Sequence, residues 1–451
     1  MDFTDSSLNL VVQRVQAKPT NANFTWTAIV HAGGSDINAI KILNHDATQD
    51  YFSNVADEIM VTLTLTPSAF FTYISPNQEA IEVTIIKAPL GEVGMIGSTN
   101  TTYQSERYVA TYVDRGNPLV QGTNTFNSDN TAMDLGDFVE IQFQLINVAM
   151  ARMRLLPTGG VYRRMAPGDA LKAILDTYSS QIKVDVSRKP LGVDMATPNN
   201  TTVKEQMIVP QGTMLIDVPK LFQEKYGIYS AGFSYYYTQD RWWLWPCYDV
   251  QRDSISGMKA IVVSVPSNRM PDLDRTFSVG GNLITILATG DKRFSDNSNT
   301  LRANQGNGVR FTDASNIMSG GVANVSGNKA YLSRGTNNTE VISTRNSSDY
   351  DNVVVSSNRV TSNPYMEYSK MAGREGSTMA FVWENADPSY LYPGMPFTYY
   401  YLDGDTIKQL QGLLMKAQNS TQIAGKGQTE IRYKTHTVIT LYVKRNLETT
   451  S

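Results

Sequence analysis

One cysteine and three histidines are all the thiol and imidazole chemistry that this chain of 451 residues offers. A lone Cys247 excludes an internal disulfide framework and any multi-cysteine metal site. Its apolar neighbours in "WWLWPCYDV" read as the surroundings of an inert, buried thiol. His31, His45 and His436 are scattered, with no HExxH or HxH pair, so no transition-metal site is expected. Charge is scarce too: Asp, Glu, Lys and Arg make up 18% of the residues, the formal net charge is −3, and no Lys/Arg-rich run occurs. Such a surface does not grip duplex nucleic acid, although nucleic acid could pass close by. No apolar run approaches the roughly 18 residues that span a bilayer. The start, "MDFTDSSLNLVV", lacks the basic region and apolar core of a signal peptide. The expectation is a soluble protein made in the cytoplasm, with no membrane-spanning segment.

Catalytic motifs are missing as well. No GxxxxGK[ST] loop, dinucleotide fingerprint or GxSxG elbow is present, and the glycines of "QGNGVR" and "SGGVANVSG" read as turns. Two acidic clusters, Asp129/Asp134/Asp137 and Asp403/Asp405, do not fit the twelve-residue calcium loop. Two carboxylates could still meet in space for glycoside hydrolysis, but that holds for most proteins and is no signal. No catalytic residue, metal or cofactor is expected, and an enzyme is not.

What the chain does have is alternation. In "DEIMVTLTLTP", Ile59, Val61, Leu63 and Leu65 oppose Met60, Thr62 and Thr64; in "DFVEIQFQLINV", Val139, Ile141, Phe143 and Leu145 oppose Glu140, Gln142 and Gln144. Period two over such lengths means half-buried strands, one face on a core and the other polar. The polar faces carry little charge. Two short amphipathic helices are predicted, one following a turn and cap at Pro167–Asp169, the other capped by Asp217 and stopped by Gly227. "NPYMEYSKMAGREG" reads as a third helix, and "TIKQLQGLLMKAQ" has helical spacing through Ile407, Leu410, Leu413 and Leu414, with a strand as the alternative. The fold class is mainly β with a few short helices (α+β), in several domains. The boundaries read as a β domain over 1–150, an α+β domain over 151–260, a polar small-strand region over 261–360, and a second β domain over 361–451.

Three of the five tryptophans fall within four residues, in "IYSAGFSYYYTQDRWWLWPCYDV". Two aromatic strands joined by "TQDR" make a hairpin. Tyr235 and Tyr237 share parity; Trp242 opposes Trp243 and Trp245, so both faces are apolar and both need cover. A core, a subunit interface and a sugar- or base-stacking platform all answer to this pattern.

Connected strings across residues 50 to 445 resemble central baseplate hub proteins of contractile-tailed bacteriophages, T4-like or of large phages. They include "VPKLFQEKYGIYSAGFSYYY", "NQGNGVRFTDASNIM", "NPYMEYSKMAGREGSTMAFVWENADP" and "LYPGMPFTYYY". The resemblance implies two tube-type antiparallel β-barrels per chain, the N-terminal one open to completion by later strands, with an α+β domain between them. It also implies a homotrimer whose six barrels join a hexameric tail tube, or tube initiator, to a trimeric spike among neighbouring baseplate proteins in the virion, with DNA only in transit. The fold is shared with type VI secretion spike hubs. On this reading Trp242, Trp243, Trp245, Tyr235 and Tyr237 are subunit-interface candidates, and Gln142, Gln144, Thr62 and Thr64 are channel-lining candidates. The alternative is a glycan-binding or glycan-cleaving tail protein with the aromatic hairpin as its sugar platform.

Overall fold

A computed structural model describes residues 13, 15, 24–89, 104–113, 138–185, 188–250, 255–265, 276–296, 363–374, 376–403, 406–423 and 433–444, with four short strands between 308 and 344. The first seven strands are β1 (Phe24–Ala32), β2 (Ser35–Asn38), β3 (Lys41–Asp50), β4 (Glu58–Leu65), β5 (Ile81–Pro89), β6 (Gln104–Tyr112) and β7 (Val139–Asn147). The middle of the chain holds β8 (Pro157–Tyr162), the helix Pro167–Ser180, β9 (Gly192–Met195), β10 (Met207–Met214), the helix Val218–Lys225, β11 (Ser234–Thr238) and β12 (Arg241–Trp245). Then come β13 (Lys259–Ser264), β14 (Phe277–Gly280) and β15 (Leu283–Asp296). Two small two-stranded sheets follow: β16 (Gly308–Phe311) pairs with β19 (Val341–Thr344), and between them in the chain β17 (Val322–Val325) and β18 (Asn328–Tyr331) form a hairpin. The helix Pro364–Arg374 precedes β20 (Gly376–Trp383), β21 (Pro396–Asp403), β22 (Thr406–Ile423) and β23 (Tyr433–Lys444).

The pairings close two rings. In the first, the order β22-β3-β4-β7-β6-β5-β1-β23 returns to β22, with β1 meeting β23 at Phe24 and Tyr433. In the second, β22-β23-β20-β15-β13-β21 returns to β22. The long antiparallel pair β22–β23 therefore belongs to both rings. The first ring closes through the single residue pair Phe24–Tyr433 and the second through continuous ladders, and closure takes the place of open sheet edges. Along β22, residues up to Leu413 pair with β21 and residues from Lys416 to Gln422 pair with β3.

A β-bulge separates those two halves, between Leu414 and Lys416. Before it Leu410, Gly412 and Leu414 face inward; after it Ala417, Asn419 and Thr421 do. A bulge adds one residue and flips the facing parity. Apolar Leu410, Leu414 and Ala417 thus fall at i, i+4 and i+7, which imitates a helix. The helical spacing of "TIKQLQGLLMKAQ" is this strand with its bulge.

Two further expectations are corrected. The helix at Pro167–Ser180 is not capped from within Pro167–Asp169: Ala166 is its N-cap without a side-chain bond, Pro167 opens the first turn and Asp169 lies in it. Asp217 takes the second N-cap position, but its side chain makes no capping bond, and Gly227 at φ 72° ends that helix. Strands β13 and β15, which the linear boundaries split between an α+β domain and a polar region, are members of the second ring. Their partners lie some hundred residues away, beyond the reach of any periodicity.

Two hydrophobic clusters result. One fills the first ring with aliphatic side chains such as Val30, Val61, Leu63, Ile85 and Ile141. The other runs from the second ring, through Phe381, Phe397 and Tyr399, into the α+β segment with its helices and aromatic hairpin.

Candidate functional site

The hairpin forms as the sequence suggests. Gln239 and Asp240 both take positive φ, 53° and 55°, the geometry of a two-residue type I′ turn, and β11 pairs with β12 in register from Ser234–Trp245 to Thr238–Arg241. The other edge of β12 receives β9 in parallel. Both faces are covered by the chain itself. Trp242 donates from Nε1 to Ser179 Oγ at 3.0 Å, Trp243 packs on Tyr392, and Trp245 meets Tyr51 edge-on. Gly394 lets its backbone approach Trp245, since a Cβ there would lie 2.6 Å from the indole. Trp242, Trp243, Trp245 and Tyr237 are 0%, 4%, 1% and 2% exposed. As interface candidates these four are therefore corrected: side chains filled in by their own chain have no surface left for another subunit. They equally lack the open ring face that sugar stacking needs. Tyr235 alone of the five stays partly exposed. Burial also pushes the Cys247 thiol up to about 12, which keeps it protonated at neutral pH.

The other candidates come together. Thr62 sits opposite Gln142 across β4–β7, and the rung continues through Asn44 on β3 to Gln422 on β22. The next rung reads Ser420, Asp46, Met60, Gln144, Thr111 across β22, β3, β4, β7 and β6. Thr64 lies one rung the other way, between Lys41 and Glu140. This is the outer face of the first ring, opposite the parity of Val61, Leu63, Ile141 and Phe143; across β22, β3, β4 and β7 its two middle rungs carry a single charge, Asp46, and on β23 they continue to Lys434 and His436. Asn44 Oδ1, Thr64 Oγ1 and Gln142 Oε1 are buried there without a hydrogen-bond partner among the described residues. Sequence reasoning found the β4 and β7 members and missed Asn44, Ser420 and Gln422, because only the register places them alongside.

One arrangement has the form of a hydrolytic relay. His31 Nε2 lies 2.8 Å from Thr84 Oγ1, and its Nδ1 lies 2.6 Å from Asp36 Oδ1. A nucleophile of this kind needs backbone donors for an oxyanion. Thr84 is in mid-strand, paired with β1 on one side and β6 on the other, so the ladder consumes those donors. The relay is a polar staple on the barrel wall. Among the described residues no group of three His, Cys, Asp or Glu side chains is placed to hold a metal ion, and no helix is long and apolar enough to cross a membrane.

Two junctions tie the parts together. Lys87 of β5 reaches Asp387 of the β20–β21 connection at 2.6 Å, both side chains nearly buried, with the ammonium 4.1 Å from the Phe24 ring centroid. On the other side of the first ring, Tyr236 Oη donates to Asp57 Oδ1 at 2.7 Å, and Ala56 bridges to Tyr237. Burial, with Glu106 nearby, raises the Asp57 carboxyl to about 6.

No protein-family model matches the chain, and no curated protein sequence does. Solved structures do resemble it over nearly its whole length. A tail protein from Neisseria meningitidis MC58 is similar with a TM-score of 0.45 at 10% identity, over 93% of this chain and 96% of that one. A 43 kDa tail protein of prophage MuSo2 from Shewanella oneidensis gives 0.44 at 11%, over 92% and 98%. An Escherichia coli component of the type VI secretion system gives 0.40 at 8%, over 91% and 76%. The structural neighbours are thus phage tail proteins and type VI secretion proteins.

Proposed function

We propose that the chain is a structural protein of a phage tail baseplate: a homotrimeric central hub that joins a hexameric tail tube to a trimeric spike. The observation that carries this reading is the pair of closed rings fused through β22–β23. Three copies would supply six barrels, and so convert threefold into sixfold symmetry at one joint. Resemblance of the sequence to baseplate hubs supports the same plan. Its partners are two further copies of itself, the spike, the tube or its initiator and neighbouring baseplate proteins, and it resides in the virion.

On this reading Thr62, Gln142 and Gln144 line the central channel, whereas Thr64, only 3% exposed, is corrected as a lining candidate because its side chain has no surface to offer. Neutral amides and hydroxyls offer DNA hydrogen bonds without counterion release, so DNA slides and is not held. No step of bond chemistry is assigned to the chain. The test is the native mass of the purified protein together with electron microscopy of its particles. A ring of three copies with a central hole supports the hub; a monomer that stays monomeric with spike and tube proteins added removes it.

A further inference from the structure

The two-stranded ribbon β8–β10 leaves apolar surface uncovered in an ordered way. Its inner face buries Thr158, Met207 and Val209. On its outer face Val161 pairs with Ile208, and Pro157 with Met214. Val161 and Ile208 are 50% and 49% exposed, and Leu155, in line with Pro157, is more exposed still. Cross-strand apolar pairs on a solvent face gain nothing from water, and an ordered patch of them marks a contact surface. Arg154 and Arg163 stand exposed at the two ends of β8 and make no ion pair among the described residues.

The face, and not an edge, is what the ribbon offers. Tyr226 Oη accepts from Ile208 N at 2.7 Å and donates back to Ile208 O at 3.1 Å on the β10 edge. Tyr178 Oη donates to Gly159 O at 3.0 Å on the β8 edge. Both edges are blunted by tyrosine hydroxyls against strand addition.

A second, different patch lies on the same chain at one end of the first ring. Ile40 donates to Thr64 O, and Phe138 immediately precedes Val139, the partner of Leu65, so both sit where β4 ends. Phe71 and Tyr73 follow in the short helical segment Phe70–Ile74 after β4, and all four are exposed, Phe138 by 60%. The exposed charged side chains of these segments are Glu79 and Glu140, while Lys41, next to Ile40 and on the rung of Glu140, is half-buried. One patch is therefore apolar with an arginine rim, the other aromatic with a carboxylate rim. Two dissimilar, complementary patches on one chain suit a heterologous contact that closes a ring, whereas an isologous dimer uses one patch twice. Apolar centres with Arg at the margin also match the composition of protein interfaces.

We propose that the outer face of β8–β10 is the contact by which one copy of this chain meets the next, seated on the β4-end of the first ring of its neighbour. This deepens the hub reading and rests on it, by naming the surface that holds the three copies together in place of the buried tryptophans.

The test uses the full chain and reads native mass against concentration, with circular dichroism and melting to confirm the fold. Wild type is expected to be a trimer, and V161E/I208E a folded monomer. R154E/R163E is expected to raise the concentration at which trimers form by about tenfold or more, and adding E79R/E140R in the same chain to restore it. V161S/I208S, a milder change, keeps the test open should the glutamates fail to fold, and it too is expected to weaken the trimer. A wild-type trimer that survives both apolar changes, or charge reversal with no rescue, overturns this contact and leaves the hub standing. A wild-type chain that stays monomeric even with spike and tube proteins added overturns both.

Discussion

The two barrels share a pair of strands yet are filled in different ways. The first has an aliphatic core of its own, closed off inside eight strands. The second has six strands, and its core does not stop at the barrel wall: Phe381, Phe397 and Tyr399 belong to the same cluster as Trp242, Trp245 and Phe222 of the middle segment. The difference teaches that the chain's units are not its sequence blocks. The second barrel, the helices and the aromatic hairpin form one unit, and the first barrel is a second one, joined to it through β22–β23 and two polar junctions.

The largest test of that division is removal of an aromatic from the larger core. Trp245→Ala deletes a side chain that is fully buried between Tyr51 and the Gly394 turn. A cost of about 3–5 kcal/mol is expected. Hydrogen exchange should show β12, β13, β20 and β21 losing protection together, with β4, β5 and β7 affected less. Equal loss across both barrels would mean a single cooperative unit and erase the comparison.

The Lys87–Asp387 pair tests the joint itself. Asp387→Ala leaves an ammonium buried against Phe24 and Trp26 without its counter-charge, and a cost of roughly 3–5 kcal/mol is expected in chemical denaturation. Replacing both partners, as K87M/D387L, should recover most of that loss, since a buried ion pair contributes little over well-packed apolar groups. A double variant as unstable as the single one would show that Asp387 acts through its bonds to Ser389 and not through Lys87.

Opposite responses to acid sharpen the comparison further. His45, inside the first barrel against Trp26, is held neutral by burial, with its pKa lowered to about 4. Its contribution is intact above about pH 6.5 and is lost as pH falls toward 4. Asp57, at the junction with the hairpin, has its carboxyl raised to about 6, so the fold favours its protonated form. Its contribution is full below about pH 4 and is lost as pH rises through 6. Each slope spans on the order of 1–3 kcal/mol. Asp57→Asn should leave stability rising with pH between 4 and 6.5, and His45→Phe should leave it falling. Unfolding midpoints measured across that range decide the matter; identical slopes in the two variants would refute the assignment.

Much of the fold class was legible because β4, β5, β7 and β23 alternate cleanly. The hairpin was legible because "TQDR" sits between two runs of aromatics. Closure of the rings was not, since it depends on strand partners far apart in the chain, such as Phe24 with Tyr433 and Ala260 with Phe397. The bulge in β22 went further and disguised a strand as a helix. The tryptophans misled for a related reason. A two-faced aromatic hairpin needs cover on both sides, and the sequence does not say that Tyr51, Ser179 and Tyr392 of the same chain provide it. The polar-face residues on β4 and β7 could be picked out because their alternation was visible there. Their neighbours Asn44 and Gln422 belong to strands whose register only the fold sets.

The smallest expected effect concerns that same polar face, and it separates stability from function. Gln142 Oε1 and Thr64 Oγ1 are buried without partners among the described residues, an arrangement that costs stability unless water reaches them. Gln142→Leu and Thr64→Val keep the shape and remove the unmet acceptors, so each should leave the melting temperature unchanged or raise stability by up to about 1 kcal/mol. On the channel reading, Gln142→Leu turns part of a wet wall apolar where DNA passes, while Thr64→Val changes a buried position. Assembled particles carrying both changes should then eject DNA more slowly, while hub assembly and melting stay as in wild type. Unchanged ejection would place this face against solvent or another protein. A fall in stability would instead mean that water already satisfies both groups, and that the first barrel is hydrated on the side where its strands look most idle.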